Sequence, residues 1–104
     1  MGVVVHGCRV YYNELLEPLG IPLVGECTVS GSVTDRGEHV AREAWSLLRE
    51  LVGVAGEARY TGSEVIGKRF TVNRYTLTIN GGSEGELRVV TRGDLLLNVS
   101  MVLS

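Results

Sequence analysis

The chain holds two histidines and two cysteines, His6, His39, Cys8 and Cys27. These are the side chains best suited to bind a metal or to work as a nucleophile with its base. His6 and Cys8 lie two residues apart in an alternating stretch, so a strand there turns both to one face. Zinc wants four such nitrogen and sulfur ligands in a tetrahedron. The close Cys–Cys and His–His pairs of zinc sites are missing, and His39 falls on the solvated side of a helix. The four residues therefore read as structural, with no metal and no cofactor expected. A reactive thiol needs a base beside a partly exposed cysteine, and His6 next to Cys8 is the sole candidate pair. With Trp45 on the neighbouring helix, His6 and Cys8 outline a small-ligand site between helix and sheet. The spacing leaves a Cys8–Cys27 disulfide open. Such a bond would be worth about 3 kcal/mol by loop closure, although a reducing cytosol disfavours it outside hyperthermophiles.

Other polar groups have simpler roles. Asp35 and Glu38 have the spacing of a helix-capping pair, and Asp94 sits where a turn wants Asp. The glycine-rich stretch Gly81-Gly82-Ser83-Glu84-Gly85 precedes a strand rather than a helix, so it is no phosphate cradle. Arg92-Gly93-Asp94 reads as a hairpin turn. Nothing brings carboxylates together for acid–base catalysis, and a non-enzymatic domain is expected.

Charge is distributed unevenly. Residues 1–55 carry four Arg against seven acids, and residues 56–104 carry six bases against five acids. Arg59, Lys68, Arg69 and Arg74 cluster in one stretch, interleaved with Tyr60, Phe70 and Tyr75. Basic and aromatic side chains on strands can hold phosphates and stack bases. Arg59, Tyr60, Lys68, Arg69 and Arg74 are thus the candidate contacts to single-stranded nucleic acid. The net charge of −2 over 104 residues weighs against that reading. Nine Arg accompany one Lys, which fits a GC-rich genome or a thermophilic source.

These residues must be positioned by elements that the hydropathy pattern reveals. Val3–Tyr12 alternates as a strand, with Val4, His6, Cys8, Val10 and Tyr12 on one face. Asn13 caps a short turn that Pro18 stops. Leu23–Thr34 alternates as a second strand, with Cys27, Val29, Gly31 and Val33 buried and a polar outer side. Residues 35–52 form the single long helix, N-capped by Asp35, with Val40, Ala44, Leu47, Leu48 and Leu51 at helical spacing and Gly53 as the stop. Ala58–Thr61 is a short strand, and Gly62–Gly67 a turn or bulged connection. Phe70–Ile79, Glu86–Arg92 and Leu95–Leu103 are the remaining strands, with a loop at 80–84. Keeping apolar faces matched demands a three-residue Arg92–Asp94 connection that pairs Val89 with Leu97 and Leu87 with Val99. It likewise pairs Leu77 with Leu87.

The expected architecture is a single α+β domain over residues 1–104. It is an antiparallel sheet of five to six strands with one long helix packed across a face, in the order β-β-α-β-β-β-β. No run reaches the roughly 18 apolar residues of a membrane span, and the start lacks a basic, apolar leader. A cytoplasmic protein without membrane partners is expected. One helix covers one sheet face, and Leu95–Leu103 is apolar on both faces and carries no charge. Such a strand invites pairing at a sheet edge. The leading expectation is therefore a homo-oligomeric binding or assembly domain whose main partner is itself.

Overall fold

The computed structural model describes residues 3–20, 23–33, 35–79 and 84–103. They form the expected α+β fold of one six-stranded antiparallel sheet and one main helix. In chain order these are β1 (Val3–Tyr12), a short 3-10 helix (Glu14–Leu19), β2 (Leu23–Gly31), α1 (Glu38–Val52), β3 (Gly56–Ile66), β4 (Phe70–Ile79), β5 (Glu84–Arg92) and β6 (Leu95–Leu103). The strands lie in the order β1-β2-β6-β5-β4-β3. Helix α1 touches both edge strands, β1 and β3, as well as β5, so the sheet curves around it.

The core lies between helix and sheet. Val40, Ala41, Ala44, Trp45 and Leu48 of α1 are buried against Leu77, Leu87, Val89, Val99 and Met101 of the central strands. Gly25 lets the helix come close, because a Cβ there would stand 2.8 Å from Leu48 Cδ2 and 2.9 Å from Met101 Cε.

Several local expectations are corrected. The helix begins at Glu38, with Gly37 as its N-cap at φ 73°. Asp35 instead turns the chain before it, accepting the Gly37 N–H at 2.7 Å. The segment after Asn13 runs on through Pro18 as a 3-10 helix. Proline is tolerated because the N–H groups of Leu16 and Gly20 make the closing bonds. β3 extends to Ile66 rather than ending at Thr61; of the two expectations for Gly62–Gly67, a turn or a bulged connection, the chain continues as strand, with a bulge between Tyr60 and Gly62. Of the expected 80–84 loop, residues 80–83 lie outside those described, and Glu84 already belongs to β5.

Register departs from expectation in an instructive way. Gly93 and Asp94 make a two-residue turn, with Arg92 opposite Leu95. A bulge between Val90 and Thr91 then shifts the ladder, so that Val89 faces Val99 and Leu87 faces Met101. The odd offset needed to match apolar faces is supplied by the bulge, not by the loop. Tyr75 faces Leu87 and Leu77 faces Gly85, two residues from the expected pairing and therefore on the same faces.

The largest correction concerns β6. It pairs with β2 on one side and β5 on the other, so the charge-free strand is central and not an edge. Leu96, Val99, Met101 and Leu103 are buried in the core. Its apolar character satisfies the sheet interior, and the edge-pairing argument built on it falls.

Candidate functional site

A bulge in β1 decides the fate of the histidine–cysteine pair. The register shifts between Val5 and Gly7, so Val3, Val5, Cys8 and Val10 pack toward the core. His6 stays on the outer face, where Nε2 meets Ser30 Oγ at 2.8 Å. The expectation that His6 and Cys8 share a face fails, because one extra residue inverts the alternation. Cys8 stands directly opposite Cys27 and forms a disulfide with it, with Cα atoms 4.0 Å apart. Neither sulfur is a free thiol, which removes the nucleophile from that pair. His39 lies 3.8 Å from Glu43 on the exposed side of α1. Among the described residues, no group of three or more His, Cys, Asp or Glu side chains is placed to hold a metal. Trp45 is buried in α1 and donates its Nε1 hydrogen to the Gly56 carbonyl at 3.1 Å. His6, Cys8 and Trp45 therefore do not converge.

The basic and aromatic residues separate as well. Arg74 is held on the outer sheet face between Glu64 and Glu86, and Arg88 joins the same network through Glu86. The two carboxylates raise the Arg74 pKa, the hydrogen bond to Glu64 contributing most. Tyr60 points to the helix side, edge-on to Tyr75 with ring centroids 5.5 Å apart. Lys68 and Arg69 occupy the exposed β3–β4 turn, Lys68 at φ 64°, and Arg59 lies on β3 beside Thr76. Lys68 and Arg69 share the turn, Arg59 and Tyr60 are adjacent on β3 but turn to opposite faces, and Arg74 is held by its carboxylates, so the five residues do not form one nucleic-acid surface.

Two other surfaces are better built. The first lies on the outer face, at the end of the sheet bearing the β3–β4 turn. Ile66, Phe70, Arg92 and Leu95 fall in one row across β3, β4, β5 and β6. Ile66 is 48% exposed, Phe70 38%, Leu95 50% and Leu97 40%. Val72 and Val90 form the next row inward. Alternation alone identified neither β3 beyond Thr61 nor the bulge that turns Leu97 outward.

The second surface is a cleft between α1 and the free edge of β3. Two adjoining cavities of about 310 and about 420 Å3 share Arg42, Glu57 and Ala58 in their walls. Tyr60 and Tyr75 floor one end. The Tyr75 hydroxyl donates to the Arg36 carbonyl at 2.7 Å. Burial drives the Tyr75 pKa above the ordinary tyrosine range, with help from Glu38 and Asp35. The Arg36 guanidinium lies 4.5 Å from the centre of the Tyr60 ring. Beneath them the Tyr60 and Ser63 hydroxyls are hydrogen-bonded, and Ser63 donates to the buried Asn73 at 2.6 Å. Arg36, Ser63 and Asn73 carried no signal in the sequence, since each depends on a long-range strand or helix contact. No protein-family model, curated protein or solved structure matches this chain.

Proposed function

We propose that the protein is a non-enzymatic homo-oligomeric assembly domain. On this reading, copies meet through the apolar end of the outer sheet face. The observation that carries it is the clustering of exposed Ile66, Phe70, Leu95 and Leu97 over Val72 and Val90, on the face opposite α1. Clustered exposed apolar side chains of this kind favour a partner. Arg92 stands within the row between Phe70 and Leu95, and Lys68, Arg69, Glu64 and Asp94 lie around it. A two-fold contact between copies can therefore set cations against acids. The folded chain exposes 6347 Å2, where surface scaling gives about 5,700 Å2 for a monomer of this mass. Edge pairing between copies is the weaker route, because bulges interrupt β1 between Val5 and Gly7 and β3 between Tyr60 and Gly62, which leaves only short stretches of regular edge for a second sheet to pair with.

Among the described residues, no helix is long and apolar enough to cross a membrane. The disulfide adds a condition to the cytoplasmic reading: it suits an oxidising compartment, or the interior of a hyperthermophile. The test is native mass spectrometry of the purified, unreduced protein over a dilution series. A multiple of 11.2 kDa that Phe70→Glu or Leu95→Glu converts to monomer, with the circular dichroism unchanged, supports the assignment. A wild-type chain that is monomeric at every concentration overturns it.

A further inference from the structure

We infer that the cleft between α1 and β3 binds an extended acidic peptide segment, which adds to the sheet as a strand beside Ala58 and Tyr60. β3 is an edge strand, and its Gly56 carbonyl turns away from β4 to accept hydrogen bonds from Trp45 and Arg49 of α1. In an antiparallel pair, alternate residues direct both backbone groups to the same side. Ala58 and Tyr60 therefore also turn their N–H and C=O groups away from β4, into the cleft. At Gly56 the helix satisfies this edge. Beyond it the two walls part, and the cavities open alongside Ala58, Arg59 and Tyr60.

The edge from Gly56 to Tyr60 spans about 13 Å at the usual strand rise. It ends at the Tyr60–Gly62 bulge, which limits the added segment to a few residues. Sheet-edge addition of this type takes its affinity from main-chain bonds and its specificity from flanking side chains. The flanking charges here are Arg42, Arg49 and Arg59 against Glu57, while Arg36 and Glu38 face each other at 3.9 Å. The cationic excess selects an acidic segment. A second copy of this chain is a poorer occupant, since its own edge stretch Gly56–Tyr60 carries one Glu and one Arg and brings no net negative charge to the cleft.

The probe is a fluorescein-labelled heptapeptide of alternating valine and glutamate, compared with its valine–lysine counterpart, on the intact protein. Anisotropy should show the glutamate peptide binding about tenfold tighter or more, with the difference shrinking as salt rises. Amide hydrogen exchange should slow at Ala58 and Tyr60 on binding. Ala58→Pro removes one outward N–H without touching the β4 ladder, and Arg42→Glu reverses charge on the exposed helix wall. Each should weaken binding about tenfold while the far-ultraviolet spectrum stays unchanged. Absence of binding, equal binding of both peptides, or affinity unmoved by both variants overturns the inference. So does a wild-type oligomer that Ala58→Pro dissociates, because the cleft would then belong to contact between copies.

Discussion

Arg9 and Glu26 face each other across β1 and β2 on the outer face, at 2.9 Å. The guanidinium holds the Glu26 carboxyl below the ordinary glutamate range, chiefly by its hydrogen bond. Because the folded carboxyl has the lower pKa, its contribution to stability is complete above the unfolded value of about 4.3. It fades as pH falls through the folded value. Replacing Arg9 with Met should return the Glu26 titration, followed by side-chain NMR, to the ordinary range. An unmoved titration would mean that the pair is not formed in solution. Gly37 makes a sharper demand. It caps α1 at φ 73°, and a Cβ there would stand 2.8 Å from Val89 Cγ1. Gly37→Ala combines a left-handed backbone with overpacking against a buried valine. It should lower unfolding stability by about 1–3 kcal/mol in a urea titration. A midpoint unchanged from wild type would show that Val89 yields freely.

At the scale of elements, the β1–β2 hairpin is closed twice, by its ladder and by the Cys8–Cys27 bond across matched positions. The two residues are 19 apart in sequence, and closing a loop of that size is worth about 3 kcal/mol. Denaturation with and without reductant should differ by about that amount. Coincident curves would show that the ladder alone restrains the hairpin. The elements themselves were largely legible. β1, β2, β4 and β6 follow period-two hydropathy, and α1 follows its apolar stripe. The register was not, because a bulge leaves no local trace. The residues around Leu97 read the same whether the odd offset lies in the loop or in the strand. The same blindness hid the separation of His6 from Cys8, since the bulge between Val5 and Gly7 reverses the faces of the residues that follow it.

For the whole molecule, the proposed self-association patch and the proposed peptide cleft lie toward opposite ends of β3. Substitutions at distant sites with no shared partners act additively. Phe70→Glu should therefore change oligomer mass without weakening the acidic heptapeptide, and Arg42→Glu should do the reverse. If Phe70→Glu weakens peptide binding as much as Arg42→Glu does, the two surfaces are coupled and the separate assignments fail. The curvature of the sheet makes this division possible. By wrapping α1 it buries one face of every central strand, leaving the outer face and the β3 edge to meet partners.

The sequence by itself determined the fold class, the element order and most of the buried set. Hydropathy period and turn chemistry are local quantities, and Val40, Ala44, Leu48, Val99 and Met101 announce their burial through them. Only the tertiary structure decided that the charge-free last strand lies inside the sheet and that Cys8 meets Cys27. It alone separated Arg74 from Lys68 and joined Arg36 to Tyr60 and Tyr75. Strand order, bulge placement and helix-to-edge contact are choices among long-range pairings of similar local merit. Such choices are settled by how all the apolar faces close together, and no short stretch of residues records them.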